Sequence, residues 1–293
     1  MKKVCLSLLM AVLSIGCALA QVEFAWSVGA ELTSAYLWRG QYNGGLSFQP
    51  DLSIGFEGEH TSLSVGAWGN VGVSDWKFSK GNTNPALDTY FNPELDLYLN
   101  FGFYGVHIGA THYYYFDGSK YFVGINDPGD NTTQTEVSLG YHFADEFNFG
   151  LYFDAYTMIL GDDGYMEPGA TLLTPATYKR AFSTYLELGY DIELPDGFKL
   201  KPALGVTPNL NGMYTDYENT WNTPKTLGIT NLCLRFDKEW ELGDHVTLGV
   251  FALGSVNFYN IDKDNLWLNT SGEDKVGSQQ KLNGCIGASI WFE

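Results

Sequence analysis

Along most of this chain, apolar and polar residues alternate one by one. At the end of the chain, in "GASIWFE" and the isoleucine before it, Ile286, Ala288, Ile290 and Phe292 fall on one side and Glu293 follows. A period of two places the two sets on opposite faces of a β-strand. The pattern predicts twelve strands, at about 24–38, 46–57, 62–73, 91–101, 103–116, 133–143, 146–158, 181–194, 198–209, 226–240, 245–258 and 280–292. The links between them are of two kinds. "GEHT", "FG", "ADE", "PDG" and "LGDH" follow strands two, four, six, eight and ten, and all are tight. "RGQYNGG" and the segments 74–90, 117–132, 159–180, 210–225 and 259–279 are longer.

Short and long links alternate strictly. Tight turns on one rim, long loops on the other and an even strand count predict an all-β fold, a single twelve-stranded antiparallel transmembrane β-barrel with short periplasmic turns and long extracellular loops. A soluble sandwich or barrel has no reason to sort its loops this way. Within each strand only one face takes charges. Strand one sets Phe24, Trp26, Val28 and Leu32 against Glu31; strand two sets Phe48, Leu52, Ile54 and Phe56 against Asp51 and Glu57. Lipid cannot solvate a carboxylate, so the charged face has to line the lumen. Ring closure is the only way to remove both sheet edges, so the last strand must pair with the first. His112 shares the apolar face of strand five, high in "HYYYF", where an interfacial aromatic girdle falls.

Composition adds export and charge. Lys2 and Lys3, an apolar run to Ala20 and the small residues of "ALAQ" read as a signal peptide over 1–20, leaving a barrel over 21–293. A retained anchor helix and lipoprotein processing before Cys17 are the alternatives. Processing moves the net charge from 16 − 34 = −18 to 14 − 34 = −20. Such a chain repels nucleic acid and attracts cations. The location read from these features is the outer membrane of a Gram-negative bacterium, with both termini in the periplasm.

Two short stretches carry family resemblances. "GASIWFE" resembles the C-terminal signal that hands outer-membrane proteins to the barrel-assembly machinery; that signal usually ends in an aromatic residue, and here Glu293 follows Phe292. "SAYLWRG", Ser34 to Gly40, resembles the early Ser-x-Tyr-x-x-Arg-Gly stretch of the TorF-like porin family. The resemblance implies an outer-membrane barrel assigned to transport, with no settled substrate. Physically, Trp38 is expected to anchor the outer interface and Arg39 to point inward at the rim. The simpler reading is a strand end whose Gly40 permits the bend.

The lumen holds the candidate chemistry. Its expected lining includes the acids Glu31, Asp51, Glu94, Asp96, Glu136, Asp154 and Glu187, the bases Arg39, Lys199, Lys201, Arg235 and Lys281, and the aromatics Tyr98, Tyr152 and Tyr185. Glu136, Asp154 and Glu187 are expected at similar heights on strands six to eight, facing bases on strands nine and ten. That arrangement makes a transverse field, and the acid excess favours cations. The expected function is passive diffusion of small polar solutes or cations through a porin-like channel. Its partners are outer-membrane lipid and, during biogenesis, the assembly machinery; no motif calls for a cofactor.

Rival readings use the same residues. Twelve strands lie between a filled and an open bore. Glu187 and Arg235 pairing across a plugged lumen would leave the long loops to act in surface recognition. A lipid hydrolase would need a His-x-Ser on the lipid-facing outer half, and the one present, His60-Thr61-Ser62, sits in a tight turn at the other rim. Asp162-Asp163-Gly164, "NDPGDN" (126–131) and "DKDN" (262–265) are acidic loop clusters without the twelve-residue calcium-loop spacing, and read as solvated turns. Cys233 and Cys285 both point inward with strand eleven between them, which exceeds the ~7 Å Cα limit for a bridge. Thiol titration of the denatured, unreduced mature chain should therefore count two cysteines; a count of zero would mean the strand order there is wrong.

Overall fold

The structure is a computed structural model, and it describes residues 22–74, 93–116, 133–166, 178–208, 228–258 and 282–293. Residues 1–20 and Lys281 lie outside that set, as do the 126–131 and 262–265 clusters. In chain order the strands are β1 (Glu23–Thr33), β2 (Tyr36–Trp38), β3 (Gln41–Gly44), β4 (Leu46–Glu57), β5 (Thr61–Ser74), β6 (Glu94–Phe103), β7 (Val106–Tyr115), β8 (Gln134–His142) and β9 (Leu151–Gly161). They continue as β10 (Gly164–Met166), β11 (Tyr178–Arg180), β12 (Thr184–Tyr190), β13 (Ile192–Leu194), β14 (Phe198–Thr207), β15 (Gly228–Glu241), β16 (Val246–Val256) and β17 (Leu282–Phe292).

Neighbours in sequence are neighbours in the sheet, and all pairs are antiparallel. β1 pairs with β4 on one side and β17 on the other, Ala30 lying opposite Pro50 and Ile290. β12 pairs with both β9 and β14, and β13 continues its stave after a break at Asp191. The ring is therefore closed, with twelve staves. β2–β3 and β10–β11 are separate two-stranded ribbons on the loop rim.

Burial is inverted relative to a soluble protein. Ile286 is 67% exposed, Phe24 63% and Leu139 56%, whereas Glu136 is 3%, Glu94 5%, Asp237 5% and Asp96 7%. The greasy face looks outward and the carboxylates look in. This is the arrangement of an outer-membrane barrel, in which hydrocarbon replaces water around the outer face. His112 keeps to the outer face, and its Nδ1 meets Thr135 Oγ1 of the adjacent stave at 2.9 Å.

Three boundaries differ from the alternation reading. Strand one ends at Thr33, not near 38, because the chain then leaves the wall. The tight turn after β6 is Tyr104-Gly105, not the "FG" before it, with φ of 49° and 74°. Two left-handed residues in succession give the twist a two-residue hairpin needs. Phe147 and Phe149 lie before β9, not in it; a helical turn, Ala144–Phe147, ends at left-handed Asn148 and fills the link. Both cysteines face the lumen unbonded, with β16 between them as expected: Cys233 pairs with Ser255, and Leu253 with Cys285.

Inward rings lie across glycines of the next stave. Tyr152 covers Gly189, and a Cβ built on Gly189 would overlap that ring; at Gly254 a Cβ would meet nothing within 4 Å. Gly189→Val should then cost about 1–3 kcal/mol through overpacking, while Gly254→Val stays within about 0.5 kcal/mol of the parent. Urea unfolding of the barrel in lipid vesicles measures both, and equal effects would contradict the placement of Tyr152.

Candidate functional site

The site begins where β1 stops. Ser34 takes the last ladder position beside β17: its N–H donates to Ile286 O at 2.8 Å, and its Oγ accepts from Ile286 N–H at 3.0 Å. The chain then turns into the barrel as the hairpin β2–β3. Its two turn residues, Arg39 and Gly40, both have positive φ, 50° and 78°. Glycine takes this conformation at no cost, whereas arginine is held there by its contacts.

Those contacts cross the lumen. The Arg39 guanidinium donates to both oxygens of Glu136, at 2.6 and 2.8 Å. It also lies over Trp38, Tyr156 and Tyr185, at 4.4, 4.2 and 4.8 Å from their ring centres. Glu136 accepts a further bond from the Tyr113 hydroxyl at 3.0 Å. Asn283 Nδ2 donates to Gly40 O at 2.9 Å. Staves β7, β8, β9, β12 and β17 thus all grip the hairpin tip. Arg39 is buried and points inward beside the loop-side ends of the staves, where Glu136 is the third residue of β8; Trp38 stacks edge-on against inward Tyr113 at 6.3 Å, not at the outer interface.

Behind the tip the lumen is filled by a hydroxyl and amide network. Glu187 accepts from Tyr152 at 3.0 Å and from Tyr185 at 2.6 Å. Asn231 donates to the Tyr185 hydroxyl at 3.2 Å and accepts from Ser255 Oγ at 2.6 Å. Glu187 is therefore not the partner of Arg235. Arg235 binds Asp237 at 2.8 Å and Glu31 at 3.2 Å, and lies 4.0 Å over Phe251. Lys201 faces Asp237 at 3.7 Å, and Lys199 faces Glu239 at 2.9 Å. The expected division into an acidic wall and a basic wall is thus replaced by local pairs. Glu187 stands opposite Asp154, but Glu136 stands opposite Met158, four residues nearer the loop rim, so the three acids are not one cluster.

In front of the hairpin a chamber of about 390 Å³ stays open. Tyr36, Leu37 and Trp38 form its hairpin wall; Glu31, Gln49, Trp68, Asp96, Tyr98, Asn100, Tyr113, Arg235 and Cys285 line it from the staves. Tyr98 donates to Asp51 at 2.8 Å. Glu94 lies one inward position nearer the loop rim than Asp96. The inward amides of Gln49, Asn231 and Asn283 were within reach of the period-two pattern, but a search for charges passes over them.

The turn rim carries histidines. His60 Nδ1 meets Glu146 at 3.1 Å and its ring stacks on Tyr104 at 4.4 Å. His107 meets Asp145 at 2.7 Å, and His142 meets Asp154 at 3.1 Å. His60 thus pins the helical turn. Asp163 accepts from Ser183 N–H at 2.9 Å and Oγ at 2.5 Å, so it ties a loop to β12. Among the described residues no group of three or more His, Cys, Asp or Glu is placed to hold a metal ion.

No protein-family model matches the chain, and no curated protein matches its sequence. Among solved structures, outer membrane phospholipase A from Escherichia coli aligns over 92% of this chain and 95% of its own, at 13% identity and a TM-score of 0.35. The CymD monoaromatic hydrocarbon channel aligns over 93% and 88%, at 12% identity and a TM-score of 0.36. An anion-selective porin from Comamonas acidovorans aligns over 93% and 99%, at 8% identity and a TM-score of 0.33. The architecture described above rests on this chain's own pairing and burial.

The Arg39–Glu136 pair is open to a double-mutant cycle. Arg39→Met or Glu136→Gln alone should cost about 3–5 kcal/mol, since each strands a buried partner, and the double variant should cost less than the two together. Unfolding free energies in lipid vesicles supply the cycle; strict additivity would show that the pair does not form.

Proposed function

We propose that the barrel is a constricted, porin-like channel of the outer membrane that passes small polar solutes with a preference for cations. The observation that carries this reading is the hairpin. It narrows a twelve-stave bore without filling it, and the chamber remains beside it. Twelve staves enclose more space than the eight that side chains alone can fill.

The cation preference follows from which charges remain uncommitted. Arg39, Lys199, Lys201 and Arg235 each face a carboxylate. Asp51, Glu94 and Asp96 have no Lys or Arg partner among the described residues, and Asp96 lines the chamber beside the paired Glu31 and Arg235, so the balance there is negative. A narrow polar passage with that balance concentrates cations. The likeness of "SAYLWRG" to TorF-like porins agrees with transport, and in this chain the stretch is the rising arm and tip of the hairpin. Cleavage after Ala20 and handover of β17 to the assembly machinery belong to the same proposal.

A plugged barrel acting through its loops is the competing reading, because the hairpin occupies the lumen. Planar-bilayer recording separates the two. The parent protein should give small, cation-selective steps. Replacing residues 36–44 by a short glycine link should raise conductance several-fold. Asp51→Asn with Glu94→Gln should move the reversal potential toward zero in a salt gradient. Correctly folded protein that gives no steps, with or without the hairpin, would leave only the plugged reading.

A further inference from the structure

The wall of the chamber near β6 has a composition that a water-filled passage does not require. Asp96 lies directly opposite Trp68 of β5 on one side and Tyr113 of β7 on the other. Directly opposed side chains on one face lie within contact. The hairpin adds two more rings: Tyr36 against Trp68 at 5.6 Å, and Trp38 against Tyr113 at 6.3 Å. Four aromatic rings therefore surround one carboxylate, and all five side chains line the chamber.

The carboxylate itself is incompletely satisfied. Asp96 is 7% exposed, and its Oδ1 has no hydrogen-bond partner. A buried carboxylate oxygen left in this state costs free energy until a positive group or a donor reaches it. The arginine on the same chamber wall, Arg235, is committed to Glu31 and Asp237. Arg39 is committed to Glu136.

We propose that this chamber binds a small organic ammonium ion, held between the Trp68, Tyr113, Tyr36 and Trp38 rings with its charge toward Asp96. This inference rests on the pore reading for its route of access. The rings exclude the simpler occupants. A metal ion would need several placed ligands, and among the described residues no group of three or more His, Cys, Asp or Glu is placed to supply them. A sugar would need many hydrogen-bonding groups around its edge, and the Gln49 amide is already bonded to Asn70 at 3.2 Å. An ammonium ion dressed in methyl groups needs neither; it sheds little hydration and gains from ring faces and one counter-charge.

Choline and its uncharged carbon isostere, dimethylbutanol, test the idea on the full-length folded barrel in detergent. Calorimetric titration should show saturable choline binding at least about tenfold tighter than the isostere. Asp96→Asn and Trp68→Leu should each weaken choline by about tenfold. Where either variant fails to fold, the native wall supplies a second measurement. Cys285 lines the chamber, so in a Cys233→Ser background choline should slow its alkylation by a thiol reagent, and the isostere should not. Equal binding of choline and isostere, or an alkylation rate that choline leaves unchanged, overturns the proposal. Conductance of the same preparation keeps the two ideas apart: steps without choline binding sink the cage alone, and choline binding without steps sinks the pore alone.

Discussion

A sheet immersed in hydrocarbon has to pair every backbone N–H and C=O within itself, because no water is there to take up the remainder. The rest of this molecule depends on that constraint. It forces β17 back onto β1, as the register from Val28 opposite Phe292 to Thr33 opposite Gly287 records. Once the ring is shut, each stave has one face in lipid and one face in a confined interior. The alternation then becomes a sorting rule. Leu97 and Leu99 can be 38% and 51% exposed at no cost, while Asp96 before them has to look inward. The same rule gives this acidic chain its lumen, which is where its chemistry is concentrated.

A twelve-stave ring encloses more room than its own side chains fill, and this chain supplies the difference from its first loop. The hairpin is held by different physics from the wall. Its tip is held by one two-pronged ion pair, by the Trp38, Tyr156 and Tyr185 ring faces and by the Asn283 amide of β17. Such an ion pair is worth most where water is scarce and both partners are fully engaged. Glu136 at 3% side-chain exposure and Arg39 at 11% meet that condition. The left-handed backbone at Arg39 is tolerated because Glu136 of β8, Tyr156 of β9 and Tyr185 of β12 hold the side chain in place.

The wall was legible in the sequence, and the hairpin was not. Glu94, Asp96, Glu136, Asp154 and Asp237 are buried on the face opposite the exposed leucines and phenylalanines, because period two is a geometric necessity of a strand. The same rule misled at 34–38. Tyr36 and Trp38 keep step with Leu32, so the alternation runs on past the point where Ser34 ends the ladder. Only the glycine at 40 hinted at a turn, and nothing local says that an arginine will take the other left-handed place. Phe147 and Phe149 kept step in the same way across a helical turn. The ion pairs were illegible for another reason. Arg39 and Glu136 are 97 residues apart, and Arg235 and Glu31 are 204 apart. Which charges meet depends on ring closure and on the inward path of the hairpin, and neither is encoded in spacing.

The two parts of the structure also differ in how they can move. A stave cannot leave the ring without exposing two rows of backbone groups to lipid, which is prohibitive. The hairpin can leave its seat without breaking one ladder bond of the wall, since β2 and β3 pair only with each other. Its release exchanges the Arg39–Glu136 pair and ring contacts for water in the same lumen. Units with few ladder bonds and wet surroundings open first. Among the described residues, the element free to change the bore is therefore the hairpin and not the wall. The same element supplies Tyr36 and Trp38 to the chamber wall. On the proposed channel reading, a solute settled against those rings would hold the hairpin in its seat and one that displaced them would widen the passage, so occupancy of the chamber and width of the passage would be coupled through the nine-residue segment 36–44.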